Sequence, residues 1–172
     1  MSITFKKDGY GQVEPNHLSA PRDGGVYAQL PADEDIDVLE NGMFVKYDYA
    51  NDKCDFDGDG AWMLVFNEEK LYDERYQMHK HYVMKRSDFF DGEMYPRVFR
   101  ISVGDIFTTN MFANNTTLSK GQKVAPGSND GILAAVAGGE SATLPKGVVF
   151  QVVKETTMPD GQAAVKLQCI QE

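Results

Sequence analysis

Residues 54–60 read CDFDGDG. They place carboxylates at alternate positions, on Asp55, Asp57 and Asp59, and end with a glycine. Calcium-binding loops begin in this way, but they also need a bidentate acid at their twelfth position, which here is Phe66. Asp and Gly equally favour tight turns that hold no metal. We therefore predict that this stretch is the tip of a β-hairpin, with Ca²⁺ binding as the alternative.

The other pattern with metal-binding chemistry is His-Lys-His, at His79 and His81. On a strand the two imidazoles would share a face and could bind Zn²⁺, whereas on a helix they would diverge. A zinc site needs further ligands, and neither H-E-x-x-H nor C-x-x-C occurs in the sequence. We interpret both residues as surface histidines and predict no metal site.

No motif for covalent or nucleotide chemistry is present. The nucleophile elbow G-x-S-x-G and the P-loop are absent, and Gly9-Tyr10-Gly11 lacks the third glycine of a dinucleotide-binding loop. The two cysteines, Cys54 and Cys169, are far apart and form no metal or disulfide pattern, so we expect free, buried thiols in a reducing compartment. The sequence therefore predicts no catalytic residue and no cofactor.

The charge distribution argues against nucleic acid as a partner. The chain has a net charge of −9, and its first 60 residues hold 5 Lys or Arg against 13 Asp or Glu. Such a surface repels phosphates. Acidic residues also interrupt the basic stretch between residues 70 and 100, which indicates a mixed, solvated face. No segment approaches 18 consecutive apolar residues and the first residues lack a hydrophobic run, so we expect no membrane partner and no signal peptide.

The residue pattern predicts a mainly β protein in three parts. Residues 1–25, rich in Gly and Pro and without periodicity, are typical of an extended N-terminal arm that packs on a partner, or of a disordered tail. Residues 26–110 are predicted to form a β-rich domain with one short helix near 68–86, where Glu precedes and Lys and Arg follow. Residues 111–172, with closely spaced Gly turns, are predicted to form a small β-barrel or sandwich.

Two local patterns carry the strand assignments of the middle part. Asn41-Gly42 stands between two apolar runs, which is the strongest short signal for a hairpin with a type I′ turn. Residues 61–66, AWMLVF, are almost all apolar, as expected for a strand buried on both faces. The single tryptophan, Trp62, lies in this run and is expected to pack in the core.

The texture of the whole chain resembles that of structural proteins of tailed-phage virions. The stretches that carry the resemblance are GYGQVEPNHLSA, YAQLPADEDIDVLENGMFVKYD, MYPRVFRISVGDIFTTN and KGVVFQVVKETTMPDGQAAVKLQ. Together they are similar to the small auxiliary, decoration or cement proteins of phage heads. Members of such families share a β-rich body, an extended arm and no catalytic residues.

The resemblance implies a non-enzymatic capsid auxiliary protein that binds and stabilises the head shell. Its partners would be the major capsid protein and other copies of itself, and its location the virion, after synthesis in the host cytoplasm. Many weak contacts on a symmetric lattice would give avidity. Two other classes stay open, a tail, neck or baseplate component or host-surface binding module, and a metal-dependent enzyme that uses the acidic loop and the two histidines.

Overall fold

The computed structural model describes residues 2–67, 83–138 and 144–172, and these are mainly β, as the sequence predicts. The described strands are β1 (Ser2–Thr4), β2 (Val13–His17), β3 (Val26–Tyr27), β4 (Val38–Glu40), β5 (Phe44–Asp48), β6 (Lys53–Asp55), β7 (Trp62–Val65), β8 (Val83–Lys85), β9 (Val98–Arg100), β10 (Ile106–Thr109), β11 (Thr117–Ser119), β12 (Lys123–Pro126), β13 (Leu133–Ala135), β14 (Val149–Thr157) and β15 (Ala163–Gln171). A short helix, α1, spans Ala20–Asp23, and a 3-10 turn spans Arg86–Asp88.

Two larger antiparallel sheets form the body. One has six strands in the order β13-β12-β14-β15-β10-β2, and the other has five in the order β3-β9-β7-β5-β6. Two small sheets, β1-β11 and β4-β8, complete the described part of the chain. Long β14 and β15 form a hairpin whose turn closes where the Met158 amide donates to the Gln162 carbonyl at 2.8 Å.

The main hydrophobic core lies where the two larger sheets face each other. Phe44 comes from the five-stranded sheet, and Phe107 and Phe150 come from the six-stranded sheet. The centroid of the Phe150 ring lies 5.4 Å from that of Phe44 and 5.2 Å from that of Phe107, within the range of favourable aromatic pairs. This arrangement is compatible with a sandwich.

The five-stranded sheet is buried on its other face as well. Along β5 and β7, Phe44 and Leu64 belong to the main core, whereas their neighbours Val45, Met63 and Val65 belong to a second core. Alternate side chains of a strand point to opposite faces, so one sheet separates the two cores. The double burial predicted for residues 61–66 is therefore confirmed for Met63–Val65.

The second core is rich in methionine. It contains Met43, Met63, Met84, Met94 and Met111. Methionine side chains are unbranched and fit irregular gaps, which suits a layer built from strands and irregular segments rather than from a second full sheet. Residues 30–40 and the β4-β8 pair supply the covering layer.

The N-terminal segment is extended and packs on its own chain. Strand β1 pairs with β11 and strand β2 with β10, and the Phe5 side chain between them is 1% exposed. The Phe5 and Phe112 ring centroids are 4.5 Å apart. The strand partners of this segment therefore lie 89 to 117 residues away along the chain, and local sequence does not reveal them.

A buried carboxylate fixes the end of this segment. Asp105, which is 2% exposed, accepts hydrogen bonds from the Ser19 amide at 2.9 Å, the Ser19 hydroxyl at 3.0 Å and the Ser102 amide at 3.0 Å. The Arg100 amide then donates to the Gly25 carbonyl at 2.8 Å. Since a buried carboxylate must be hydrogen-bonded, these contacts tie residues 19–25 to the body of the protein.

The Asn41-Gly42 turn does not form the predicted hairpin. Strand β4, before it, pairs with β8, whereas β5, after it, pairs with β6 and β7. Only Gly42 has a positive φ, of 93°, so the turn is not type I′. The Asn41 side chain instead accepts a hydrogen bond from the Asn67 amide at 2.8 Å, which holds the chain as it crosses between sheets.

Two other boundaries differ from the prediction. Most of the helix expected near 68–86 lies outside the described residues, but residues 83–85 form a strand and 86–88 a 3-10 turn. The border expected at residue 110 is not a border between sheets, because β10 and β2 pair within the same sheet as β12–β15. The described strands of residues 111–172 therefore belong to open sheets, and no closed barrel is formed among them.

We expect Phe5→Ala to destabilise the protein by about 3–5 kcal/mol, because it would leave a cavity beside Phe112 in the main core. Urea unfolding followed by tryptophan fluorescence measures this change. Lys6→Ala, one residue further along, is the control and should change the free energy of unfolding by less than about 0.5 kcal/mol. Equal effects of the two substitutions would show that the segment is a loose arm.

Candidate functional site

A few large apolar side chains in the described part of the chain are exposed to solvent. Those most exposed are Phe90 (109%), Tyr49 (72%), Val103 (58%) and Tyr95 (44%). Isolated exposed apolar residues are normal in soluble proteins. Two of these four, however, lie on one loop, residues 89–97, between the 3-10 turn and β9, which we call the Phe90 loop.

Phe90 lies in a tight turn whose flanking residues pack in the second core. The Gly92 amide donates to the Phe89 carbonyl at 3.1 Å, and Gly92 adopts a φ of 71°, which glycine reaches without strain. Before the corner, the half-buried Phe89 ring packs against the second core, and after it Met94 is fully buried there. The chain is therefore held on both sides of the exposed ring.

Arg86 clamps the base of this loop from inside. Its guanidinium donates to the carbonyls of Gly92 and Asp33, and to those of Ile36 at 3.0 Å and Ala32 at 3.3 Å. The Ala32 amide also donates to the Met94 carbonyl at 2.7 Å. Because the planar guanidinium has five donors in a fixed geometry, one side chain joins residues 32–36 to the loop.

The rim of the loop is acidic. Asp88, Asp91 and Glu93 are exposed. Arg86 is directed to main-chain carbonyls, and Arg97, at the other end of the loop, lies over the Phe99 ring at 4.8 Å. The Tyr95 hydroxyl donates to the Glu93 carboxylate at 2.8 Å, and this hydrogen bond raises the pKa of Tyr95. The loop thus presents an exposed aromatic ring with exposed acidic residues on both sides of it in the sequence.

The CDFDGDG stretch is not the hairpin tip that the sequence predicts. The tip of the β5-β6 hairpin is at residues 49–52, and Asp55 ends β6. The Asp55 carboxylate is buried and accepts a hydrogen bond from the Gly58 amide at 2.6 Å, whereas Asp57 and Asp59 are exposed. The stretch is the loop that leads from β6 across β5 to β7, and its glycines pass close to the main chain of Tyr47.

Other acids join Asp55 and Asp57 in a cleft of about 430 Å³. Its lining includes Asp33 and Asp35, and also Lys53, whose ammonium group binds Asp33 and lies 3.8 Å from Asp55. The hydrogen bond from Lys53 holds the pKa of Asp33 below its usual value. The protein's own cation therefore occupies the position between the carboxylates, and within residues 2–67, 83–138 and 144–172 no metal-binding group of three side chains is found. Failure to bind Ca²⁺ stays a prediction.

The remaining candidates have structural surroundings or lie outside the description. His79 and His81 fall among the residues that the structure does not describe. Trp62 is only half-buried, at the border of the main core, and the Lys46 ammonium lies 4.7 Å from its ring centroid. With Lys146 these two line a cleft of about 200 Å³. Trp62 therefore packs against the main core, as expected, but is only partly buried.

Both thiols are free and buried, as predicted. Burial raises the pKa of Cys54 to about 12 and that of Cys169 to about 11. Since the thiolate is the nucleophile, neither side chain is set up for reaction near neutral pH.

Comparison with known protein families gives no matching family model, and comparison with curated proteins and with solved structures gives no significant match. Among the residues described, no helix has the length and apolarity needed to cross a bilayer. The functional interpretation therefore depends on the surface of this chain alone.

The Phe90 loop is the feature that sequence reasoning missed. Its signal is the stretch FFDGE at residues 89–93, in which two adjacent aromatic residues precede Asp-Gly. Phe89 has an extended main chain, and successive side chains of extended main chain point to opposite sides, which places one ring inward and the other outward. Local sequence does not tell which of the two.

We expect Arg86→Ala to lower the free energy of unfolding by about 2–3 kcal/mol, because several main-chain carbonyls lose a charged donor. Arg86→Lys should recover only part of this loss, since one ammonium cannot reach carbonyls on both segments. Urea unfolding measures both, with the exposed Arg100→Ala as the matched control. A loss no larger than that of the control would contradict the clamp.

We expect neither cysteine of the folded protein to react with a thiol reagent such as DTNB at pH 8, because both thiols are buried and their pKa values lie well above that pH. In 6 M guanidinium chloride both should react rapidly. Absorbance of the released thionitrobenzoate measures the reaction. Fast reaction of a native thiol would contradict the structure.

Proposed function

We propose that this chain is a non-enzymatic auxiliary protein of a tailed-phage head, a decoration or cement subunit that binds and stabilises the capsid shell. Its partners are the major capsid protein and further copies of itself, and it resides in the virion. The observation that supports this proposal is the Phe90 loop, a firmly held and fully exposed aromatic corner on a β-rich body.

The physics of lattice binding fits such a loop. Aromatic residues, phenylalanine included, are enriched at protein interfaces, and hot spots lie in well-packed, desolvated pockets. Because the loop is held by Arg86, Phe89 and Met94, little conformational entropy is lost on docking. A modest affinity per subunit is enough when many copies act on one shell.

The N-terminal segment contributes differently from what the sequence suggests. Phe5 and Leu18 are buried in the main core of their own chain, so residues 2–25 do not supply a free adhesive arm. Among the described residues, the proposal therefore relies on the Phe90 loop as the element that binds the shell.

A tail, neck or baseplate component would use the same kind of loop and is the second candidate. Copy number separates the two, since a shell protein has hundreds of copies per particle and a tail component about a dozen or fewer. No contact in the described residues favours the metal-dependent enzyme, because Lys53 lies between the carboxylates of the acidic cleft.

We expect the purified protein to bind expanded capsids that lack it, to reach hundreds of copies per particle, and to raise the temperature at which the particles release DNA. Co-sedimentation with quantitative gel analysis measures the copies, and a DNA-binding dye measures the release. Absence of binding together with unchanged heat release would contradict the proposal.

A further inference from the structure

We propose that the Phe90 loop docks into an apolar pocket whose rim carries Lys or Arg side chains, on a protein other than this chain. The inference rests on the proposed function, in which that pocket belongs to the capsid shell. Three features of the described residues support it: the exposure of the ring, the fixation of the loop and the charge of its rim.

The first feature is that Phe90 contributes nothing to its own fold. Its side chain is as exposed as in an isolated residue, whereas the adjacent Phe89 packs against the second core. A phenylalanine that is fully desolvated by a partner gains enough free energy to change affinity by about 10–100-fold. Among the described residues, Phe90 is thus the large apolar side chain with the highest exposed fraction that a partner could bury.

The second feature is that the docking geometry exists before binding. The turn is closed by the Gly92 amide, the guanidinium of Arg86 holds the Gly92 carbonyl, and Met94 anchors the return of the chain. The Tyr95 hydroxyl also fixes the Glu93 carboxylate. A preformed apolar corner requires a complementary concave pocket rather than a flat surface.

The third feature is the charge around the ring, which selects the partner's rim. Asp88, Asp91 and Glu93 flank Phe90 and are exposed. Arg86 binds carbonyls at the base of the loop, and Arg97 lies over the Phe99 ring at 4.8 Å. The Lys85 ammonium, which lies over the Tyr10 ring at 5.1 Å, partly offsets Asp88. A cationic rim would complement these carboxylates, and an acidic rim would repel them.

The same charge argues against a second copy as the occupant. The chain has a net charge of −9, so two copies repel each other over the distance of a Debye length. A basic protein surface provides both the steering and the final ion pairs. The partner is therefore a different protein with a cationic pocket rim.

The test measures binding of the full chain to expanded capsids and, separately, to purified tails. Phe90→Ala should weaken binding by about 10–100-fold. The matched control is Tyr49→Ala, which removes another exposed aromatic ring, on the β5-β6 turn, and should leave binding unchanged. Equal unfolding midpoints of the wild type and both variants confirm that only the surface differs.

A second pair of variants tests the charge. Asp88→Lys should slow association and reduce the dependence of affinity on NaCl concentration, because a repulsive charge replaces an attractive one. Asp59→Lys changes the net charge by the same amount at an exposed position on the β6-β7 loop and should have little effect. Equal responses of the two would overturn the cationic rim.

The outcomes separate the two proposals. Binding to capsids that is equally strong for Phe90→Ala and Tyr49→Ala overturns the docking loop and leaves the capsid function intact. Phe90-dependent binding to tails but not to capsids overturns the capsid function and supports the loop. Absence of binding to both overturns both. Phe90-dependent dimerisation of the chain alone, seen by analytical ultracentrifugation, overturns the assignment to a different protein.

Discussion

Contact between Phe44, Phe107 and Phe150 is the interaction on which the rest of the architecture depends. These rings join a five-stranded sheet to a six-stranded sheet and lie in the main core between them. Because the five-stranded sheet is apolar on both faces, closing the main core leaves Val45, Met63 and Val65 to be covered from the other side. The covering layer of residues 30–40 and β8 meets this need, and it is this layer that Arg86 fastens to the Phe90 loop.

The exposed loop is thus a consequence of how the second core is closed. Methionine and short irregular segments fill that core, and the loop enters and leaves it through Phe89 and Met94. A ring held between two buried anchors keeps its position when it meets a partner. The buried thiols and the carboxylates paired with Lys53, by contrast, are engaged in holding the fold together. Shape and surface chemistry, rather than a reactive group, are what the described residues offer.

The sequence predicts the parts of the fold that a short window determines. The mainly β composition, the doubly buried stretch Met63–Val65 and the free thiols all follow from apolar pattern and cysteine spacing. Prediction from the sequence fails where the conformation of a segment depends on residues far away in the chain. Asn41-Gly42 forms no hairpin, and the Asn41 side-chain oxygen instead accepts a hydrogen bond from the Asn67 main-chain amide. Residues 2–25 show no periodic hydrophobic pattern, although their strands complete two sheets. For the candidate site, FFDGE marks a turn, but only packing against the second core determines that Phe89 turns inward and Phe90 outward.

The pairing of the first strand has a consequence for how the chain is made. The hydroxyl groups of Thr4 and Thr117 meet at 3.0 Å although they are separated by 113 positions. At ribosomal rates of about 5–20 residues per second, roughly 6–23 s pass before the docking site of the amino terminus has been synthesised. During this interval the nascent polypeptide carries Phe5 unprotected, a state that favours aggregation and recruits chaperones. Contacts of such long range also slow spontaneous folding. Residues 2–5 therefore dock only after residues 112–119 have been synthesised.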